Sequence, residues 1–180
     1  DSDKISPALI TRSGLRWYKN RVVLAYDMDG KDLAHAWKPG QSGLEKNEGF
    51  QGWSGSDRDG RRMTLTMAYV AAGRLLLANS FRDLTPETLH DLERTFPYPT
   101  EPRSARPIDA FTHKGLPRVY DFAVTPDWHQ LTLFNNTLPT REEAIAVPLA
   151  GEPVDGALGL DPAAEYYVYD FWNDRFAGKF

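Results

Sequence analysis

The first residues that could do chemistry are Trp53 and Asp57, which stand four positions apart near the end of a glycine-rich stretch. A carboxylate accepts hydrogen bonds from two adjacent hydroxyl groups, and the flat face of an indole can stack on a sugar ring. Side chains of these two types at this spacing could together contact a ligand that carries hydroxyl groups on a ring. The structural alternative is a polar loop that one buried tryptophan anchors to the core.

Asp57 is followed by a second carboxylate, Asp59, at a spacing that could suit an acid–base pair or a Ca²⁺ site. A calcium loop needs several more oxygen ligands in a fixed pattern, and that pattern is missing from the sequence. The two residues precede a predicted helix that begins near Arg61, where negative charge is favourable beside the positive end of the helix dipole. We therefore favour capping of this helix as their role.

Other familiar chemistries find no support in the residue spacing. The histidines, His35, His90, His113 and His129, do not show the HxH or HExxH spacing of zinc sites. The sequence has no nucleophile elbow and no phosphate-binding glycine loop. Cysteine is absent, which excludes disulfides and thiolate metal sites. We expect neither a metal nor a cofactor.

The elements that must position these residues alternate between strand and helix before residue 97. Residues 15–37 predict a β-hairpin with its turn at Asp29-Gly30, and residues 38–60, with six glycines, predict a long loop. Residues 61–73 predict a helix. Its predicted apolar face consists of Met63, Met67, Val70 and Ala71.

A short apolar run from Leu75 to Ala78 follows this helix and predicts a strand covered on both faces, as in a parallel sheet. We therefore expect the three leucines of the run to be nearly inaccessible to solvent. Thr85-Pro86 predicts the start of another helix, because a hydroxyl N-cap precedes proline at the first helical position. The predicted buried stripe of that helix is Leu89, Leu92 and Phe96.

The chain after residue 97 is strand-like. Prolines interrupt a polar stretch that we interpret as a linker over residues 98–107, between a first domain at 1–97 and a second at 108–180. Strands are predicted at residues 118–124, 129–135, 144–149 and 166–172. Turn signals between them favour an antiparallel β-sandwich, packed by Trp128, Trp172 and the tyrosines of Tyr166–Tyr169.

The overall composition excludes several classes of protein. Of the 180 residues 41% are hydrophobic and 26% are charged, which suits a packed core. The net charge is −4 and no basic block is visible, so we expect no nucleic-acid partner. No apolar run approaches the ~18 residues that span a bilayer. We expect a soluble bacterial protein of the cytoplasm, the periplasm or the exterior, with no membrane partner.

Residues 67–96, MAYVAAGRLLLANSFRDLTPETLHDLERTF, resemble the last strand and last helix of the catalytic barrel in α-galactosidase-like, or melibiase-type, glycoside hydrolases. In those enzymes the turn after the strand reads Gly-Asn-Asp-Leu-Arg. Here Asn79 and Arg82 match that turn, and Ser80 replaces its Asp. Further motifs agree in order, and the resemblance covers residues 50–180: RPIDAF at 106–111, RVYDF at 118–122, WHQLTLFN at 128–135 and YYVYDFWNDRF at 166–176.

The resemblance implies an α/β part followed by an all-β part, namely the last units of a (β/α)8 barrel joined to an antiparallel C-terminal β-sandwich. It implies that the substrate is bound by Trp53, Asp57, Asn79 and Arg82. Asp27, followed by Met28, echoes an Asp-Met pair of the same family and is a rival to Asp57. Retaining glycosidases use two carboxylates, and in this family both lie on upstream barrel strands. No catalytic residue is therefore assigned within this chain.

Three functions stay open at this stage. The chain can be the C-terminal portion of a retaining glycoside hydrolase acting on α-galactoside-like glycosides, where it supplies a wall of the active site. It can instead be a non-catalytic module that binds carbohydrate, or a structural sandwich that braces a barrel or forms a homo-oligomer interface. The expected partner in the first two cases is a carbohydrate. The first function requires a native reading frame that extends upstream of Asp1.

Overall fold

The computed structural model describes residues 27–31, 33, 58–71, 74–77, 79–97, 105–115, 117–134 and 144–180. Within these residues the content is mixed α/β, and no helix is long and apolar enough to cross a membrane. The elements in chain order are β1 (Asp27–Lys31), α1 (Arg58–Ala71), β2 (Arg74–Leu77), α2 (Pro86–Glu93), β3 (Arg106–Pro107), β4 (Val119–Thr125), β5 (Trp128–Leu133), β6 (Tyr167–Asp170) and β7 (Arg175–Lys179).

Strands β1 and β2 pair in parallel, with Gly30 opposite Leu76 and Lys31 opposite Leu77. Helix α1 lies between them in sequence, so the three elements form a β-α-β connection. The hairpin predicted for residues 15–37 is wrong at its turn, because Asp29-Gly30 lies inside β1. The register shifts between Asp27 and Gly30, and a glycine suits such an irregularity because it lacks a Cβ. Asp29-Gly30 is a dipeptide that often forms a tight turn, but in this fold it accommodates an irregularity within β1.

Helix α1 begins at Arg58, so the last three residues of the predicted loop are its first turn. Its buried side chains are Arg61, Leu65 and Ala68, which recur at i, i+4 and i+7 along one face. Of the predicted face, Met63 is only partly buried, and the side chains of Met67, Val70 and Ala71 lie outside the described residues. A charged residue therefore occupies a position in the face that packs inward.

Helix α2 begins as predicted. Thr85 is its N-cap, and the Thr85 hydroxyl accepts a hydrogen bond from the backbone N–H of Thr88 at 3.2 Å. The predicted stripe is right at Leu92, which is buried, and partly right at Leu89. It is wrong at Phe96, which is 58% exposed because the helix has already ended at Glu93.

The N-terminal core consists of Leu33, Leu65, Leu84 and Leu92, and Leu77 of β2 packs against it while remaining partly exposed. The expectation of near-complete burial is therefore wrong at Leu77. Among the residues that the structure describes, β2 has one neighbouring strand, so its other edge has no paired strand to cover it. The side chains of Leu75 and Leu76 lie outside the described residues.

Strands β3, β4 and β5 form an antiparallel sheet in that order, and the predicted strands near 118–124 and 129–135 are confirmed. Its core contains Ile108, Val119 and Leu158. Residues 144–149 were predicted as a strand and are not one. Their backbone is bound by the returning chain instead, since Leu158 N–H donates to the carbonyl of Pro148 at 3.0 Å.

Strands β6 and β7 form a separate antiparallel hairpin whose turn contacts the two helices. Trp172 packs against the N-terminal core, and its Nε1–H donates to the hydroxyl of Thr66 on α1 at 2.8 Å. The guanidinium of Arg94 lies 4.4 Å from the centre of the Phe171 ring.

The predicted packing of Trp128, Trp172 and the Tyr166–Tyr169 tyrosines in a sandwich core is therefore wrong at Trp172, which joins the helices. It is also wrong at Trp128, which is 57% exposed, and at Tyr167 and Tyr169, which are exposed. A two-stranded hairpin has no second sheet of its own to bury its rings.

Candidate functional site

Asn79 joins the carboxyl ends of the two parallel strands. It lies two residues after the end of β2, and its Oδ1 accepts a hydrogen bond from the backbone N–H of Leu33, just beyond β1, at 2.6 Å. Because the strands run in parallel, their carboxyl ends meet at one edge of the sheet. In open α/β sheets and in barrels, ligands bind at this edge. The predicted residue Asn79 therefore lies at the expected edge, where its side chain fixes the spacing of two loops.

Arg82 lies three residues further on, in a 3₁₀ turn over Phe81–Asp83, and its side chain is exposed. Ser80 caps this turn, because its hydroxyl accepts a hydrogen bond from the backbone N–H of Arg82 at 3.3 Å. Ser80 thus has a structural role in this turn. Arg82 carries five N–H donors in a fixed planar arrangement that suits hydroxyl and carboxylate oxygens.

Among the other residues predicted to bind substrate, only Asp27 lies within the described residues. Trp53 and Asp57 lie outside the described residues, so their predicted role stays a prediction. The rival, Asp27, is the first residue of β1, opposite Arg74. It therefore stands at the amino end of its strand, at the edge opposite Asn79. This position disfavours Asp27 as a partner of Asn79 and Arg82, and Asp57 stays a prediction.

A buried ion network links the two helices, and no local sequence pattern predicts it. The carboxylate of Asp91 on α2 is fully buried and accepts hydrogen bonds from Arg61 at 2.8 Å and Arg62 at 3.1 Å. Arg61 also contacts the exposed Glu87 at 2.9 Å, and Arg62 donates to the backbone carbonyl of Trp172 at 3.1 Å. The network therefore fixes α1, α2 and the C-terminal hairpin relative to one another.

A second buried carboxylate, Asp121 of β4, binds a histidine and an arginine. Its Oδ1 lies 2.8 Å from His129 Nδ1, and its Oδ2 accepts a hydrogen bond from Arg106 at 3.0 Å. An Asp–His pair can orient an imidazole as a base. Here the other ring nitrogen, Nε2, lies 3.3 Å from the carbonyl of Pro126. Both ring nitrogens face acceptors of the same sheet, so we assign this cluster to holding β3, β4 and β5 together.

Asp59 was predicted to cap α1, and it lies within the first turn of that helix, exposed beside Arg58 at 3.4 Å. Its negative charge thus stands next to the positive end of the helix dipole. No group of three or more metal-ligating side chains occurs among the residues that the structure describes.

Comparison with known proteins yields no relative. No family model matches the chain, and neither a curated protein sequence nor a solved structure matches it.

Proposed function

We propose that this chain is the C-terminal portion of a retaining glycoside hydrolase that acts on α-galactoside-like glycosides. In this proposal the residues after β1 and β2 form one wall of the active site, and the last units of a (β/α)8 barrel are followed by an accessory β-sandwich. The two catalytic carboxylates would be supplied by barrel strands upstream of residue 1. The carbohydrate is the substrate, and no cofactor takes part.

The observation that carries this proposal is the β1-α1-β2 connection with Asn79 and Arg82 at its carboxyl edge. The resemblance assigns both residues to the turn that follows the last barrel strand. A parallel strand pair is the arrangement that a barrel requires at this point. Asn79 holds the two loops together, and the exposed Arg82 would donate hydrogen bonds to sugar hydroxyl groups.

The test uses both the 180-residue chain and the longest reading frame that contains it. The chain alone should hydrolyse aryl α-galactosides no faster than buffer, whereas the longer protein should show saturable hydrolysis. Hydrogen bonds to a charged group contribute about 1.5–3 kcal/mol, so Arg82→Ala should lower kcat/KM by about 10–100-fold. The exposed cation Lys114 is the matched control, and Lys114→Ala should leave kcat/KM unchanged.

Two results would overturn the proposal. Saturable hydrolysis by the 180-residue chain would require catalytic carboxylates within it. Equal kcat/KM values of the Arg82→Ala and Lys114→Ala proteins would show that the carboxyl edge of β2 is not part of the active site.

A non-catalytic carbohydrate-binding function is the alternative, and one observation favours it. Tyr167, Tyr169 and Phe176 are 72%, 55% and 59% exposed, and the pairing of β6 with β7 puts them on one face of the hairpin. The rings of Tyr167 and Phe176 are 6.2 Å apart. Exposed aromatic surface of this kind marks an interaction site.

This alternative is tested by affinity electrophoresis of the 180-residue chain in gels that contain galactan or galactomannan. Retardation that Tyr169→Ala abolishes would support binding at the hairpin. Trp128→Ala is the matched control, because Trp128 is equally exposed on another sheet. Unretarded migration in both gels would contradict this function.

A further inference from the structure

A pocket of about 260 Å³ lies in the C-terminal part of the chain, away from the parallel strands. Its walls come from the segment that joins β3 to β4, from residues 145–148 and from the turn at Asp155-Gly156. Pockets for drug-sized ligands measure about 300–1,000 Å³. The volume therefore suits one small molecule.

The polar part of the lining is fixed by Asp109. This carboxylate is 8% exposed, and the backbone N–H of Arg118 donates to both of its oxygens at 3.0 and 2.9 Å. The N–H of Val119 donates to Oδ1 at 3.1 Å. Two backbone donors thus hold the orientation of Asp109, and an ionised carboxylate has about four acceptor positions. Little side-chain entropy remains to be lost when a ligand binds beside it.

The groups around Asp109 combine acceptors, donors and an apolar wall. Thr112 supplies a hydroxyl, Arg118 and His113 supply N–H groups, and Asp155 supplies a second carboxylate. The apolar wall is Val119, Ile145, Val147 and Pro148. In the lining the carboxylates of Asp109 and Asp155 outnumber the guanidinium of Arg118, so an anion is disfavoured.

Gly156 shapes the floor of the pocket. Its φ is +84°, in the left-handed region that favours glycine, and a Cβ there would lie 3.0 Å from the hydroxyl of Thr112. The left-handed turn thus brings the backbone close to Thr112 without a side chain between them.

We propose that this pocket binds one neutral polyol, such as a monosaccharide. Carboxylates accept hydrogen bonds from hydroxyl groups, the guanidinium donates to ring and hydroxyl oxygens, and the aliphatic wall packs on the C–H face of the sugar. The site is separate from the carboxyl edge of β1 and β2 and from the aromatic face of the hairpin. It therefore stands whether or not the chain belongs to a hydrolase.

The test is a titration of the ¹⁵N-labelled 180-residue chain with galactose, glucose and, separately, inorganic phosphate, followed by amide chemical shifts. A ligand of about 12 heavy atoms in a half-open pocket should bind with a Kd of about 1–10 mM. The amides of Thr112, Arg118 and Gly156 should shift with either sugar and saturate together. Phosphate should leave them unchanged.

Two exposed alanines provide a matched pair of variants. Ala146 lines the pocket and Ala144 does not, although both lie on the same exposed segment. Ala146→Phe should raise the sugar Kd by about 10-fold or more, and Ala144→Phe should leave it unchanged. Should Ala146→Phe fail to fold, Thr112→Val removes one hydroxyl at equal volume and should raise the Kd by about 3–10-fold.

Three results would each overturn the proposal. The first is the absence of saturable shifts at these amides up to about 50 mM sugar. The second is a response to phosphate alone, which would identify an anion site. The third is an equal sugar Kd in the folded Ala146→Phe, or Thr112→Val, and Ala144→Phe proteins.

Discussion

Replacement of Asp91 by leucine should strongly destabilise the chain, because it removes the acceptor that two arginines share. Asp91 is fully buried, and its partner Arg61 is 3% exposed. Breaking a buried ion pair by removing one partner costs about 3–5 kcal/mol, since the other charge is left buried. Here Glu87 still contacts Arg61 at 2.9 Å, so we expect the lower end, about 3 kcal/mol.

A double-mutant cycle separates the interaction from the loss of packing. Arg61→Met leaves Asp91 with Arg62 and should cost about 2 kcal/mol. The Arg61→Met/Asp91→Leu protein buries two apolar chains and should be destabilised by about 2 kcal/mol, well below the sum of the single changes. The coupling energy is then about 3 kcal/mol, near the upper end for residues in contact.

The assay is urea unfolding followed by circular dichroism and tryptophan fluorescence, with the m-value checked for constancy. Glu87→Gln is the control, because Glu87 is largely exposed and such ion pairs contribute about 0–1 kcal/mol. A cost below about 1 kcal/mol for Asp91→Leu, or additivity within about 0.5 kcal/mol, would refute the reasoning.

Further outcomes at three residues can be measured on the same chain. Tyr120→Phe should raise the free energy of unfolding by about 1 kcal/mol in urea, because the buried Tyr120 hydroxyl has no hydrogen-bond partner among the described residues; Tyr166→Phe, which removes an exposed bond, should not. Burial, with the nearby Asp109 carboxylate second, raises the pKa of Tyr120, so it should stay protonated where exposed tyrosines ionise. Thr85→Ala should lower the free energy of unfolding by about 1 kcal/mol by removing the N-cap of α2; a change below about 0.3 kcal/mol would contradict the cap. The pKa of Asp170 should lie below 3.8, mainly because the Asn173 side chain donates to it. The stabilisation that this hydrogen bond gives the folded state is therefore present above pH 3.8 and is lost as the pH falls through the lowered pKa of Asp170. A carboxyl ¹³C titration should show a higher pKa of Asp170 in the Asn173→Ala protein.

Local signals predicted the elements that local chemistry determines. Thr85 and Pro86 define the start of α2 because the hydroxyl acceptor and the missing N–H act within one helical turn. The turn between β4 and β5 and the apolar strand β2 were also predicted, because residues close together in sequence determine them. Asp29-Gly30 was misread because its conformation is decided by the parallel partner β2, which is more than 40 residues away in sequence.

The buried charges could not be predicted from local pattern, because their partners are distant in the chain. Arg61 stands on the inward face of α1 at helical spacing from Leu65 and Ala68, which was the available signal. A charge at such a position requires a buried partner of opposite sign. Asp91, 30 residues away, is one of several acidic candidates, and only the packing of the helices selects it.

The C-terminal hairpin shows how a motif can be located correctly in sequence and still be misinterpreted. Its strand at 167–170 was predicted, but Trp172 was assigned to a sandwich core. In the fold the Trp172 ring contacts the N-terminal core, its Nε1–H binds Thr66, and its carbonyl binds Arg62. Arg62 also binds Asp91, so the hairpin and the two helices share one network of hydrogen bonds. Because Asn79 and Arg82 lie between these helices in sequence, we expect the C-terminal hairpin to help position the edge at which the substrate is proposed to bind. Substitution of Trp172 should therefore shift α1 and α2 and, with them, the positions of Asn79 and Arg82.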